Sequence, residues 1–124
     1  MANVLVVDDA KIMRINIRKI LEQLNHTIIS EASNGYEAIN QYKLYKPDFV
    51  TMDITMPMEQ GIEDGIEAVK QIIQFDPNAK IIMITSHGEQ NKVIRAIQSG
   101  ASAYMLKPLK KEKLEEILQK ISVI

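Results

Sequence analysis

Short unbroken apolar runs alternate with amphipathic stretches along the whole chain, and this exchange of two periods narrows the fold more than any other feature. Val4-Leu5-Val6-Val7 is continuously apolar and stops at Asp8-Asp9. The next segment places Met13, Ile17, Ile20, Leu21 and Leu24 on one face at helical spacing. Thr27-Ile28-Ile29 is a β-branched run closed by Ser33-Asn34-Gly35. A second helical stripe, Ala38, Ile39, Tyr42 and Tyr45, is stopped by Pro47. Phe49–Met52 predicts a third strand, and Ile62, Ile66, Val69 and Ile73 a third helix. Ile81–Ile84 predicts a fourth strand, with Val93, Ile94 and Ile97 on a fourth helix that Gly100 closes. Ala103–Leu106 and the stripe Leu114, Ile117, Leu118 and Ile121 complete the series. Five such βα units predict an α/β fold, with a parallel sheet buried on both faces by helices. Right-handed crossovers leave few topologies, and polar chemistry in such sheets gathers at the carboxyl ends of the strands.

The 124 residues hold enough material for one core, so residues 1–124 are expected to form one domain. A net charge of -1 offers no global field for nucleic acid or a membrane surface. With no cysteine there is neither a disulfide framework nor thiolate chemistry, which fits a reducing compartment. The first residues, MANVLVVDDA, lack the basic and long apolar segments of a signal peptide. No segment approaches the roughly 20 apolar residues of a membrane span. The expected location is the cytoplasm.

The strand ends carry the chemistry. Strand one ends in Asp8-Asp9, strand three in Asp53, strand four in Thr85-Ser86 and strand five in Lys107-Pro108. In a parallel sheet all of these share one rim. Crowded carboxylates repel one another, and a proton or a cation relieves them. Oxygen donors without His or Cys suit Mg²⁺. A lysine and a hydroxyl beside such a metal make a site for a phosphoryl group, and a carboxylate can attack phosphorus in line. Taken singly, each residue also has a plainer role. Asp9 suits a helix cap, Asp53 a turn, Thr85 a strand, Lys107 a solvated charge and Pro108 a helix start. The coincidence of parts at four of five strand ends favours a shared site.

With these residues in view, the chain resembles the receiver domains of two-component signalling, of the single-domain chemotaxis regulator (CheY) type. The matching motifs are VVDDA at 6–10, MDITMP at 52–57, ITS at 84–86 and GASAYMLKP at 100–108. They span essentially the whole chain in the family's order. The resemblance implies a doubly wound, flavodoxin-like (βα)₅ fold with strand order 2-1-3-4-5. It implies that Asp53 is the phospho-acceptor, taking its phosphoryl group from a histidine kinase. Asp9 would bind Mg²⁺ directly and Asp8 through water, with Asp53 and the Thr55 backbone carbonyl completing the protein's share. Lys107 would pair with the phosphoryl group across a cis Lys107-Pro108 bond. Thr85 would be the switch hydroxyl and Tyr104 the switch aromatic. Thr55 and His87 occupy positions that tune dephosphorylation in similar proteins. His26, before the second strand, is expected to be structural.

Phosphorylation adds about two negative charges at Asp53, which the Thr85 hydroxyl can approach, letting Tyr104 turn inward. The face of helix four, strand five and helix five would report the change to a protein target, with Lys92, Arg95, Lys110, Lys111 and Lys113 adding positive charge there. The target expected from the resemblance is the flagellar motor switch, in chemotaxis or motility, and a separate phosphatase is a further expected partner. The resemblance implies a monomer that is a signalling protein rather than an enzyme, limited to self-phosphorylation and autodephosphorylation.

The family pattern after the acceptor runs M-P-x-M-D-G-[I/L]-E. Here Gln60-Gly61-Ile62-Glu63 and Asp64-Gly65-Ile66-Glu67 both fit its second half, as though one unit were repeated. Four added residues turn a helical stripe by only about 40°, so an early helix start and a longer loop both accommodate them. Gly61 and Gly65 resist helix and favour the loop. A second functional class is a Mg²⁺-dependent phosphatase with an aspartate nucleophile, as in the haloacid dehalogenase family. That chemistry needs an acid two residues after the nucleophile, where this chain has Thr55. A degenerate receiver would lack the acceptor, a metal ligand or the lysine. A receiver belonging to a larger, for example transcriptional, regulator is the remaining alternative.

Overall fold

A computed structural model describes residues 1–121. The strands are β1 (Asn3–Val7), β2 (Thr27–Ala32), β3 (Phe49–Asp53), β4 (Ile81–Thr85) and β5 (Ala103–Leu106). They alternate with helices α1 (Lys11–Gln23), α2 (Gly35–Tyr45), α3 (Gly65–Phe75), α4 (Gln90–Gln98) and α5 (Lys111–Lys120). All strand pairs are parallel, in the order β2-β1-β3-β4-β5. The order reverses between β1 and β3, which opens a crevice at their carboxyl ends.

Strand alternation divides the core into two layers. Leu5 and Val7 of β1, Val50 and Met52 of β3, and Ile81 and Met83 of β4 pack with α2 and α3, and with Ala96 of α4. Val4, Val6, Phe49, Ile82, Ile84 and Met105 point the other way, against Ile17 and Leu21 of α1 and Leu114, Ile117 and Leu118 of α5. Both faces of the central strands are therefore dry, which is why their sequences read as unbroken apolar runs.

Four details depart from the helical and strand patterns of the sequence. β2 continues through Ser30 and Glu31 as an edge strand, with its register slipping between the Val4–Ile28 and Leu5–Ser30 pairs. Tyr45, the last member of the α2 stripe, is exposed where the helix ends at Lys46 in a left-handed conformation. Ile62 lies outside α3. The apolar stripe of α4 only partly enters the core: Val93 packs against it, Ile94 and Ile97 are 57% and 42% exposed, and Ala96 is the buried residue.

The first copy of the repeated segment after β3 is loop, as Gly61 predicts, whereas Gly65, also expected to resist helix, opens α3. Glu59 and Ile62 exchange backbone hydrogen bonds of 3.1 and 2.9 Å across Gln60 and Gly61. Both central residues have positive φ, 52° and 80°, the signature of a type I′ turn, which glycine enters without strain. Ile62 is buried, its methyl lying against the first residue of α2, Gly35. Asp64 then caps α3 by accepting the Glu67 N–H at 3.0 Å. One copy of the repeated unit makes a miniature hairpin, and the other starts the helix.

His26 is structural, and its chemistry has a consequence for acid stability. Its buried ring accepts the Ala2 N–H at Nδ1, 3.0 Å away, and meets Phe49 edge-on at 5.6 Å. Burial, helped by the N-terminal amine, holds its pKa below the ordinary 6.5. The neutral form is favoured on folding, so its stabilisation is present above the ordinary value and is lost as pH falls through the lower folded value. Relative to a His26→Gln variant, the wild type is expected to lose stability over the window below about pH 6.5 in urea titrations. A constant difference between the two proteins across that window would show that the ring does not titrate on unfolding.

Candidate functional site

The pairing of Val7 with Met52 sets Asp8 beside Asp53, one residue further along each strand, at the point where strand order reverses. Carboxylate oxygens of Asp8, Asp9 and Asp53 lie within 4.8 Å of one another. Asp8 and Asp53 are buried and Asp9 faces solvent. Asp9 does not cap α1: the N-cap is Ala10, without a side-chain bond. The Asp8 carboxylate accepts the Ala10 N–H at 2.9 Å through Oδ1. Its Oδ2 is buried and accepts no hydrogen bond among the described residues.

Lys107 reaches the pair from the end of β5. Its Nζ lies 3.4 Å from Asp8 Oδ2 and 3.5 Å from Asp53 Oδ1. Its backbone N–H donates to the Thr85 carbonyl at 2.7 Å, which ties the ends of β4 and β5 together. The Lys107-Pro108 peptide is cis. Burial and then the neighbouring Asp8 charge push the Asp53 carboxyl up to about 7, against the pull of Lys107. Burial lowers the Lys107 pKa, but Asp53 and Asp8 outweigh it and hold the ammonium above its usual range. One cation does not balance three carboxylates. An all-oxygen donor set, in which the buried Asp8 Oδ2 has the Lys107 ammonium nearby but no hydrogen bond, fits a hard divalent cation.

A family model described as the response regulator receiver domain matches residues 4–119. This chain belongs to that receiver family. Protein CcdB of Bacillus subtilis is 46% identical over 121 residues, covering 98% of each chain. Chemotaxis protein CheY of Thermotoga maritima is 45% identical over 119 residues, covering 96% of each. Among solved structures, a CheX-CheY-BeF3-Mg²⁺ complex from Borrelia burgdorferi aligns with a TM-score of 0.88 at 35% identity, covering 98% of this chain and 90% of that one. Sequence and strand order together make this receiver CheY-like.

The receiver's remaining rim residues fall into two groups. Thr85 is fully buried, and its hydroxyl donates to the Met105 carbonyl at 3.3 Å. Tyr104 stands half-exposed on β5. With Ile94, Ile97 and Leu106 it lines a groove of ≈ 430 Å³ that runs up to Thr85 and Glu89. The apolar stripe of α4 faces this groove. Lys92, Arg95, Lys110, Lys111 and Lys113 are all exposed.

Thr55 and His87 are both exposed, on the β3–α3 and β4–α4 loops. The Thr55 hydroxyl donates to Glu89 Oε2 at 2.6 Å and accepts Lys92 Nζ at 3.5 Å. Glu89 Oε1 accepts the Ser86 N–H at 2.7 Å. Glu89 is thus the residue that joins the two loops, and the sequence patterns did not single it out. The spacing Ser86-x-x-Glu89 matches a capping box, in which a glutamate reaches back to the first residue's N–H, although here Glu89 is itself the N-cap residue of α4. That spacing signals the Ser86 contact. It carries no sign of the Thr55 contact, 34 residues away.

Proposed function

We propose that this receiver is switched by phosphorylation of Asp53. The observation that carries it is a buried carboxylate at the reversal point of the sheet, clustered with Asp8 and Asp9 and 3.5 Å from the Lys107 ammonium. The Asp53 carboxylate attacks the phosphorus of a phosphohistidine on a histidine kinase, and the imidazole leaves with the electron pair of the broken P–N bond. Lys107 sits where it can move from the carboxylate oxygens to the incoming phosphoryl oxygens. Mg²⁺, held by Asp8, Asp9, Asp53 and the Thr55 carbonyl, would supply positive charge to the phosphoryl oxygens. Thr85 then exchanges its Met105 carbonyl for the phosphoryl group, and Tyr104 turns from solvent toward the space it leaves. Thr55 and His87, on the two rim loops, tune the approach of hydrolytic water. The α4–β5–α5 face delivers the signal to a protein target.

The curated relatives named chemotaxis proteins support a role in chemotaxis or motility, with the flagellar motor switch as the target. The Borrelia complex supports both a Mg²⁺ site and a protein partner such as a phosphatase. Among the described residues no helix is long and apolar enough to cross a membrane. We place the protein in the cytoplasm, as one domain acting as a monomer, outside the classical enzymes. Incubation with acetyl phosphate and Mg²⁺ is expected to add one phosphoryl group by intact mass, and Asp53→Asn is expected to abolish the adduct. An unmodified wild type under cold, brief conditions, or an adduct that persists in Asp53→Asn, overturns the assignment.

A further inference from the structure

Glu89 spans the two loops that border the acceptor. One carboxylate oxygen holds the Ser86 N–H and the other the Thr55 hydroxyl. Thr55 lies two residues beyond Asp53, and Ser86 follows Thr85 at the end of β4. The register of β3 on β4 pairs Asp53 with Ile84, so Ser86 is two residues past that pair on the neighbouring strand. Lys92 closes the group by donating to the same Thr55 hydroxyl at 3.5 Å. Burial raises the Glu89 carboxyl's pKa. The Thr55 and Ser86 hydrogen bonds and the charges of Lys92 and Lys107 outweigh that and hold it below the usual range. The two hydrogen bonds place Glu89 beside the phosphoryl site, since Thr55 is two residues past Asp53 and Ser86 follows Thr85.

We infer that Glu89 is a positioning residue which slows entry of the phosphoryl group to Asp53. This rests on the phospho-acceptor role proposed for Asp53. A fixed negative charge at the mouth of the site repels an anionic donor, and the bridge from Thr55 to Ser86 holds the two loops together across it. The phosphoryl group brings about two further negative charges and strong acceptor oxygens. It competes with Glu89 for the Ser86 N–H, the amide at the end of β4. Glu89 leaves when the group arrives, and its exit also breaks the link from Thr55 to the start of α4, where Glu89 is the N-cap residue. Among α4's described residues Ala96 is buried and Val93 packs partly against the core, a small anchor for the helix.

The test is the initial rate of Asp53 labelling by acetyl phosphate with Mg²⁺, read by intact mass. In that reaction an Asp53 oxygen bonds to phosphorus and acetate departs with the electrons of the cleaved P–O bond. Glu89→Gln keeps the hydrogen-bonding shape and removes the charge. It is expected to label about fivefold faster than wild type at low ionic strength, a gap that narrows in about 0.5 M salt as the charge is screened. Glu89→Ala, which also opens the bridge, is expected to label at least as fast as Glu89→Gln. A purely structural role would not produce the salt dependence. Equal rates for wild type and Glu89→Gln, or a gap that salt leaves unchanged, would overturn the inference while leaving Asp53 as the acceptor. Failure of all three proteins to label would instead remove the acceptor role itself. Circular dichroism of each variant confirms that the comparison is between folded proteins.

Discussion

Gly65→Ala is expected to destabilise the protein by about 3 kcal/mol or more, near the upper end for forcing an extra carbon into a packed site. Gly65 is the first residue of α3, and its N–H donates to the Ile54 carbonyl at 2.8 Å. A Cβ there would lie 2.1 Å from the Asp53 carbonyl oxygen and 3.2 Å from the Ile54 Cα. These are backbone atoms at the end of a central strand, so no side chain can rotate away. Either α3 lifts off the sheet or the Asp53 backbone shifts. Gly61→Ala is the internal control. Gly61 has φ of 80° and open space around it, so its cost is conformational strain alone, about 1 kcal/mol. Urea unfolding of both variants separates the two causes. A Gly65→Ala midpoint at or above that of Gly61→Ala would refute the close approach of α3 to β3. A folded Gly65→Ala is also expected to label slowly with acetyl phosphate, because the strain falls on Asp53, the proposed acceptor.

Asp53→Asn is expected to be more stable than wild type, by on the order of 2–4 kcal/mol at about pH 8 without divalent cations. Burial and the Asp8 charge raise the Asp53 carboxyl from 3.8 to about 7. A group raised on folding gives its full stabilisation below the unfolded value, and that stabilisation is lost as pH rises through the folded value. Wild type therefore weakens between about pH 4 and pH 8, whereas the amide at residue 53 does not titrate. Mg²⁺ at about a hundred times its dissociation constant should restore about 2.7 kcal/mol to wild type and much less to the variant. Chemical denaturation with chelator and with Mg²⁺, at both ends of the pH range, measures all of this. A variant less stable than wild type at high pH in chelator would mean that the attraction to Lys107 exceeds the cost of crowding three carboxylates.

The gain in stability from losing Asp53 has a functional meaning. Three acids and one lysine at a strand-reversal point are poorly balanced on their own, an excess of negative charge that a bound cation would relieve. The site is built for partners rather than for the resting fold.

Much of this was written along the chain. Val4–Val7, Phe49–Met52 and Ile81–Ile84 read as strands because both faces of a central parallel strand are dry, and nothing else makes short unbroken apolar runs so regularly. Asp8, Asp9, Asp53, Thr85 and Lys107 were legible because a parallel sheet brings all its strand ends to one rim, whatever the helices between them do. Other features could not be read there. Ile62 and Ile66 are four apart, a spacing shared by a helix and by a turn leading into one, and only the positive φ of Gln60 and Gly61 decides between them. Val93, Ile94 and Ile97 mark an amphipathic helix, but periodicity does not say whether its apolar face meets the sheet or lines an open groove. Glu89 meets Thr55 only because two loops, each anchored to its own strand, converge at the strand rim. By itself, then, the sequence determined the strands, their common rim and the residues on it, since these follow from local periodicity and one rule of parallel sheets. The tertiary structure decided the hairpin, the uncovered face of α4 and the Glu89 bridge, since each depends on how distant segments pack, and local pattern carries no record of that.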